Sequence, residues 1–166
     1  GLYTQADFHP PCTVGNYQSA ANVQDCELFS LPDLATDRPG VRRAIADYLL
    51  ALARMGVAGY RVDAAKHIQQ ADLDAILDTV NVTLQGEGRP LPYVYLEVSG
   101  ASGEAIGEGD YFGIGYSSGG AADITEFTFT GTGNKFLGTN GEHISQLNPA
   151  GPAGSQFSEL AWGIMP

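Results

Sequence analysis

GVAGYRVDAAKH, residues 56–67, places an arginine, an aspartate, a lysine and a histidine within seven positions, directly after a short apolar run. Residues 57–62 have the composition of a short buried strand, and Gly56 suits the left-handed conformation that ends a preceding helix. Side chains alternate along a strand, so Arg61 and Asp63 should point to the same side. Because two charged groups on a buried strand are costly unless they are paired or functional, the stretch predicts a functional site at a strand end. A purely structural Arg–Asp pair is the alternative.

Regular elements are predicted on both sides of this stretch. Apolar residues at helical spacing over 39–55 predict an amphipathic helix that leads into the strand. A second helix is predicted around 72–80, and β-forming residues predict strands over 92–98 and 123–129. Because helices and strands alternate, the strands should pair in parallel with helices packed on the sheet, which is an α/β architecture.

Glu97 stands at the carboxyl end of the second predicted strand. The carboxyl ends of parallel strands lie at the same edge of a sheet, so Glu97 and Asp63 should share one rim, one strand apart. This pair of carboxyl groups is a candidate for acid–base and nucleophilic chemistry. An ordinary solvated glutamate is the alternative when Glu97 is considered alone.

Two cysteines, Cys12 and Cys26, bracket an irregular part of residues 1–30. Since the chain has only two, a disulfide formed in an extracellular compartment is the economical interpretation, and two free buried thiols are the alternative. The pair therefore predicts a secreted protein.

Composition excludes some classes of partner. The chain has 166 residues, which fits one domain, and its 19 acidic and 8 basic residues give a net charge of −11. A nucleic-acid-binding protein needs a Lys/Arg patch that this composition does not supply. No run of about 18 apolar residues occurs, so the sequence predicts no membrane span.

Seven positions of the opening stretch match the pattern G-[FY]-R-x-D-A-x-K-H, namely Gly59, Tyr60, Arg61, Asp63, Ala64, Lys66 and His67. The pattern resembles the fourth-strand motif of the α-amylase superfamily of glycoside hydrolases. Two shorter sequences are similar to further motifs of that superfamily: Leu-Pro-Asp-Leu around Asp33, 30 positions before Asp63, and Tyr-Leu-Glu-Val around Glu97. Taken alone, Asp33 is equally compatible with a turn or a helix N-cap.

The resemblance implies a partial (β/α)8 TIM barrel that contains about strands 4 to 6 with their helices. Residues 1–30 would be the end of a loop-rich excursion domain between strand 3 and its helix, and 31–166 a partial catalytic barrel. A whole barrel typically needs about 250 residues. The expected third-strand and seventh-strand motifs do not occur in the sequence, so we expect a piece of a longer protein that is inactive by itself.

The resemblance also implies roles for individual residues. Asp63 would be the covalent nucleophile, kept ionised by Arg61, and Glu97 the general acid, which must be protonated at the working pH. A retaining mechanism needs the two carboxyl groups about 5–5.5 Å apart. Substrate-binding roles are implied for Arg61, Lys66, His67 and Tyr17.

Calcium is the cofactor that the resemblance implies, held by the Asp33 carboxylate and by the backbone carbonyls of Gln24 and His67. Hard oxygen ligands of this kind suit calcium. The resemblance also allows a chloride ion at Arg61. The remaining histidines, His9 and His143, are predicted to be isolated and are given no role.

The function implied is endo-hydrolysis of α-1,4-glucosidic bonds in starch and related glucans, with retention, by a secreted monomeric α-amylase. One alternative is another hydrolase or transglycosidase of the superfamily, such as a debranching enzyme. A less favoured alternative is a non-catalytic amylase-like binding domain, which would usually lose the carboxylates that this chain keeps at Asp63 and Glu97.

Overall fold

The computed structural model describes residues 3–120, 122–125 and 127. Its helices are α1 (Ala20–Asp25), α2 (Pro39–Arg54) and α3 (Gln70–Gly86), and its strands are β1 (Gly59–Val62), β2 (Tyr93–Leu96) and β3 (Ala122–Ile124). Short 3₁₀ turns occur at Gln5–Asp7, Leu28–Ser30, Ala65–His67, Glu108–Tyr111 and Tyr116–Ser118. Among the helices of the described ranges, none combines the length and the apolar character that crossing a bilayer requires.

The three strands form one parallel sheet in the order β1-β2-β3. Val62 pairs with Leu96, and Leu96 pairs with Ile124, so all three strands end at the same edge. Helix α3 connects β1 to β2, which is the crossover that parallel neighbours require. The predicted α/β architecture, a partial barrel of successive parallel strands, is confirmed.

Several element boundaries differ from those predicted. Helix α3 extends beyond the predicted 72–80 at both ends: it begins at Gln70 and continues to Gly86, and Leu84 packs in the same core as Ile76 and Val80. Strand β1 is shorter than predicted and is half exposed instead of buried, because in the described part of the chain it is an outer strand that pairs on one side. The third strand occupies Ala122–Ile124, and residues 126, 128 and 129 of its predicted span lie outside the described residues.

Two glycines set the approach from α2 to β1. Gly56 has φ 101° and donates to the carbonyl of Ala53 at 3.0 Å, while Val57 donates to Leu52 at 3.1 Å. These two bonds form a Schellman motif, which ends the helix where the sequence predicted. A Cβ on Gly59 would lie 2.8 Å from the carbonyl oxygen of Tyr93, so glycine permits the close approach of β1 to β2.

The core has two parts on the two faces of α3. One joins α3 to α2 through Ala46, Leu50, Ile76, Val80 and Leu84. The other joins α3 to the sheet through Leu73, Leu77, Val94, Leu96 and Ile124. Burial of these apolar side chains on both faces holds the strand ends in a fixed position relative to the helices.

The irregular N-terminal segment is closed by the predicted disulfide, Cys12–Cys26, which is present. Glu27 donates to the carbonyl of Cys12 at 2.9 Å beside it. Phe8 forms an antiparallel bridge with Leu34, so residues on the two sides of the predicted boundary at residue 30 pair with each other.

A buried ion pair fastens α2, α3 and the segment between Asp33 and Pro39. Arg42 donates to Asp72 Oδ1 and to the carbonyl of Thr36, each at 2.7 Å, and the Thr36 hydroxyl donates to Asp72 Oδ2 at 3.1 Å. Asp72 is 8 % exposed, so the hydrogen bonds from Arg42 and Thr36 replace most of the contacts with water that its carboxylate would otherwise make.

Replacing Asp72 by alanine in the full-length protein should therefore lower the free energy of unfolding by about 3 kcal/mol, since the Arg42 charge loses its partner in a partly buried site. Asp47→Ala is the matched control, because Asp47 pairs with Arg43 on the exposed side of α2, the helix that also carries Arg42. Such exposed pairs contribute about 0.5 kcal/mol or less. Urea unfolding curves measure both values. Equal losses of unfolding free energy in the two variants would contradict the stabilising role of the Arg42–Asp72 pair.

Candidate active site

Asp63 and Glu97 follow directly after paired residues of neighbouring strands. Glu97 donates its backbone N–H to the carbonyl of Val62 at 2.9 Å, and Ala65 donates to the carbonyl of Glu97 at 2.9 Å. The parallel register therefore continues one residue beyond the ends of β1 and β2. It places the two acidic side chains side by side at the carboxyl edge of the sheet.

Arg61 joins the two carboxylates. Its guanidinium forms an ion pair with Asp63 through Nη1 and lies 3.3 Å from Glu97 Oε2 through Nη2. The hydrogen bond and charge of Arg61 hold the pKa of Asp63 below its ordinary value, and the Asp63 carboxylate raises the pKa of Arg61. Asp63 is consequently ionised over a wide pH range, as a nucleophile must be.

The turn after Asp63 fixes Glu97 from the other side. Ala64 adopts a left-handed conformation, φ 48° and ψ 38°, and its N–H donates to Glu97 Oε2 at 2.9 Å. Such a conformation is unfavourable for a residue with a Cβ and is found mainly where the surrounding structure imposes it, often at functional sites. Ala64 is one position of the motif described above, and no local pattern in the sequence indicates this hydrogen bond.

Lys66 lies in the wall of the site rather than in open solvent. It is 5 % exposed, and its ammonium donates to the carbonyl of Ser99 at 2.7 Å and to Glu104 Oε2 at 2.8 Å. The same ammonium lies 4.7 Å from the ring centroid of Tyr17, which is a cation–π contact. The hydrogen bond from Lys66 lowers the pKa of Glu104. Glu104 was not predicted, because it lies in a glycine-rich stretch with no periodic signal.

A cleft of about 340 Å³ opens beside Glu97. Its lining includes Tyr17, Phe29, Lys66, His67, Glu97 and Glu104. Arg61 and Asp63 are not among its lining residues, so the cleft lies on the Glu97 side of the carboxylate pair. The structure thus brings together three of the predicted substrate-binding residues, Tyr17, Lys66 and His67, with the predicted general acid.

Helix α1 is fastened to the segment that follows β1. The His67 ring donates through Nδ1 to the carbonyl of Val23 at 2.7 Å. The Gln24 side chain donates to the hydroxyl of Tyr111 at 3.2 Å, and burial raises the pKa of Tyr111 to about 12. The side chains of Gln24 and His67 are therefore used in tying the N-terminal segment to the barrel.

The prediction that His9 is isolated is wrong. Its Nδ1 lies 2.7 Å from Asp33 Oδ2, its Nε2 lies 3.6 Å from Asp37 Oδ1, and its backbone N–H donates to the carbonyl of Asp33 at 2.9 Å. The contact joins residues 24 positions apart and has no local sequence signal. His143, the other histidine without a predicted role, lies outside the described residues.

Asp33, the predicted calcium ligand, lies in a partly buried position. Burial raises its pKa above the ordinary value, and the charge of Asp25 raises it further, while His9 and His67 act in the opposite direction. Within residues 3–120, 122–125 and 127, no cluster of three or more His, Cys, Asp or Glu side chains has metal-binding geometry. A set of one carboxylate and two backbone carbonyls is not a cluster of that kind, so the calcium ligands Asp33, Gln24 and His67 stay a prediction.

Comparisons with known proteins cover nearly the whole chain. It is 41% identical over 157 residues to the alpha-amylase of Tribolium castaneum, with 90% of this chain and 30% of the relative covered. It is 39% identical over 167 residues to the alpha-amylase of Streptomyces violaceus, with 100% of this chain and 25% of the relative covered. It is 38% identical over 178 residues to human alpha-amylase 2B, with 99% of this chain and 31% of the relative covered. No family profile matches the chain.

Solved structures of alpha-amylases are also similar to the chain. The wild-type alpha-amylase I of Eisenia fetida superimposes with a TM-score of 0.73 at 30% identity, covering 89% of this chain and 30% of that one. A mutant of the same enzyme, in complex with maltohexaose, gives a TM-score of 0.74 with the same coverage. The chain spans about a third of the length of the curated relatives that it matches.

With Asp63 as the predicted nucleophile, replacing Arg61 by glutamine should shift the acid limb of the pH–activity profile of the full-length protein to higher pH. Under that prediction the activity needs Asp63 in its ionised form and falls as the pH drops through the Asp63 pKa, which removal of the Arg61 charge raises. Arg61→Lys keeps a positive charge and should shift the limb less. The measurement is kcat/KM as a function of pH for the three proteins. An acid limb that stays in place in the glutamine variant would contradict the role of Arg61.

Proposed function

Because this chain is a fragment of an α-amylase, we propose that the full-length protein hydrolyses internal α-1,4-glucosidic bonds of starch and related glucans with retention of configuration. The observation that carries the proposal is the placement of Asp63 and Glu97 on adjacent strand ends, with Arg61 in contact with both carboxylates. A retaining glycosidase needs two carboxyl groups about 5–5.5 Å apart, one as nucleophile and one as acid. Two carboxyl groups that contact the same guanidinium lie close to each other.

The first half of the reaction forms a covalent intermediate. A carboxylate oxygen of Asp63 attacks the anomeric carbon of the glucose unit, and the bond from that carbon to the glycosidic oxygen breaks. Glu97 gives its proton to the departing oxygen, which leaves as the free hydroxyl of the shortened glucan. Arg61 supports this step because it holds Asp63 in the ionised form that can attack.

The second half restores the enzyme. Glu97, now ionised, takes a proton from a water molecule while the water oxygen attacks the anomeric carbon and displaces the Asp63 carboxylate. The product carries the new hydroxyl on the original face, since two displacements have occurred. The Ala64 N–H is positioned for this step because it donates to Glu97 Oε2 and fixes the carboxylate where both proton transfers take place.

Substrate binding is proposed for Arg61, Lys66, His67 and Tyr17. Tyr17, Lys66 and His67 line the cleft beside Glu97, which is where the glucan on the leaving-group side of the broken bond would lie. The buried Lys66–Glu104 pair holds this wall and presents Tyr17 through the cation–π contact.

We further propose that calcium is held by the Asp33 carboxylate and by the backbone carbonyls of Gln24 and His67. The raised pKa of Asp33 and its repulsion with Asp25 support a cation at this position. When bound, calcium would supply a positive charge that joins the N-terminal segment to the end of β1. Chloride at Arg61 is the second proposed ion, and it would approach a guanidinium that already faces Asp63 and Glu97.

We also propose a domain division, a location and an oligomeric state for the protein. The division into residues 1–30, the end of an excursion, and 31–166, a partial barrel, is supported by the single disulfide-closed segment and the parallel sheet that follows it. The disulfide also supports a secreted, extracellular protein, because such bonds persist in oxidising compartments. We propose a monomer that acts on starch without a nucleic-acid or membrane partner.

Asp63→Asn in the full-length protein should reduce starch hydrolysis by at least about 10⁴-fold, because the amide cannot form the covalent intermediate. Asp47→Asn, an exposed carboxylate on α2, is the matched control and should retain full activity. The measurement is the release of reducing ends from soluble starch. Activity of Asp63→Asn within tenfold of the parent would refute the nucleophile assignment.

Asp33→Ala should weaken calcium binding by at least about tenfold and remove most of the calcium-dependent rise in the thermal unfolding midpoint. Asp37→Ala is the matched control, since Asp37 also faces His9 and is not a proposed ligand. Isothermal titration of the calcium-free protein gives the affinity independently of activity. Equal calcium affinity in the two variants would exclude Asp33 as a ligand.

A further inference from the structure

Phe29 combines three features that are unfavourable for a purely structural residue. It is 87 % exposed, it has a left-handed backbone with φ 52° and ψ 35°, and Ser30 after it is also left-handed with φ 63°. A left-handed conformation is a genuine outlier for a bulky residue, and the exposed ring gains little from burial in return. A strained residue of this kind is a reason to look for a function at its position.

The strained turn is held at both ends. Before it, Cys26 is cross-linked to Cys12 and Glu27 donates to the carbonyl of Cys12 at 2.9 Å. After it, Asp33 is bonded to His9 through both its backbone carbonyl and its side chain. Within the turn, Leu31 donates to the carbonyl of Leu28 at 3.0 Å. The aromatic ring is therefore presented on a short segment with restricted freedom, which reduces the entropy lost when a ligand binds.

The ring of Phe29 lies on the cleft beside Glu97. Phe29 and Tyr17 both line that cleft, and they are its two aromatic residues within the described part of the chain. Asp63 does not line it, so the cleft lies on the side of the general acid, where the leaving part of the glucan must be. A ring at this position is placed to contact units on the leaving-group side.

Being an exposed apolar residue of this turn does not by itself place a side chain at the cleft. Leu31 is 65 % exposed in the same segment but does not line the cleft. Glucose units carry C–H groups on their ring faces, and flat aromatic side chains at the edges of binding sites pack against such faces. Phe29 has this shape and this location, whereas Leu31 has neither.

We propose that Phe29 is a stacking platform for a glucose unit on the leaving-group side of the broken bond, and that it determines how strongly the enzyme prefers substrates extended on that side. This inference rests on the proposed glucan hydrolysis. It adds a specificity-determining residue that contacts substrate away from the reacting atoms.

The test uses the full-length protein and linear malto-oligosaccharides of four to seven glucose units, with the position of cleavage determined from end-labelled products. Phe29→Ala should raise KM about three- to tenfold for the longer substrates while kcat changes less than twofold, and cleavage should shift to bonds with fewer units on the leaving-group side. Phe29→Tyr keeps a ring and should retain the parent's KM and cleavage pattern.

Two further variants separate stacking from folding. Phe29→Gly removes the ring and also the backbone strain, so it should show the KM of Phe29→Ala with a thermal midpoint at least equal to that of the parent protein. Leu31→Ala is the matched control and should leave KM and cleavage positions unchanged.

An active parent whose Phe29→Ala variant keeps its KM and cleavage positions would overturn the role of Phe29 and leave the proposed hydrolysis intact. A Leu31→Ala variant with the same defects as Phe29→Ala would also overturn it. A full-length protein that cleaves no glucan would overturn both the proposed function and this inference.

Discussion

The parallel pairing of β1 with β2 is the constraint on which the site depends. Val62 and Leu96 are partners in the ladder, and the bonds of Glu97 to Val62 and of Ala65 to Glu97 carry the same register beyond the strand ends. A slip of one residue would turn one carboxylate to the opposite side of the sheet, since side chains alternate. Gly59 permits the pairing by leaving room for the Tyr93 carbonyl, so the register is supported at the start of β1 as well as at its end.

Arg61 and Ala64 determine the electrostatic surroundings of the two carboxyl groups. The Arg61 guanidinium contacts both carboxyl groups, so one positive charge lies beside both strand ends. The hydrogen bond and the charge of Arg61 lower the pKa of Asp63, whereas Glu97 Oε2 also accepts a hydrogen bond from the Ala64 N–H. The same sheet edge thus gives the two acidic residues different surroundings. A short left-handed turn at Ala64 is the conformational cost of this arrangement.

The N-terminal segment is fastened to the barrel at several separate points. The disulfide closes the segment on itself, the His67–Val23 bond attaches α1 to the turn after β1, and the His9–Asp33 contact lies at the far end of the strained turn at Phe29. Lys66 and Glu104 form the facing wall, and Tyr17 lies against Lys66. Lys66, His67 and Glu104, which line the cleft beside Glu97, each form a hydrogen bond to another residue, and these bonds restrict the shape of that part of the cleft.

The amino-acid sequence by itself determined the order of the elements, the end of α2 at Gly56, the disulfide and the location of Asp63 and Glu97 at strand ends. These follow from local rules: helical and strand periodicity, glycine at a helix end, and the shared polarity of parallel strands. Only the tertiary structure decided that His9 binds Asp33, that Lys66 is buried against Glu104 and that Phe29 faces the cleft. The first two of these contacts join residues 24 and 38 positions apart, and the third depends on how a loop folds over a sheet. No periodicity within one segment encodes such contacts, because they arise from the packing of separate segments against each other.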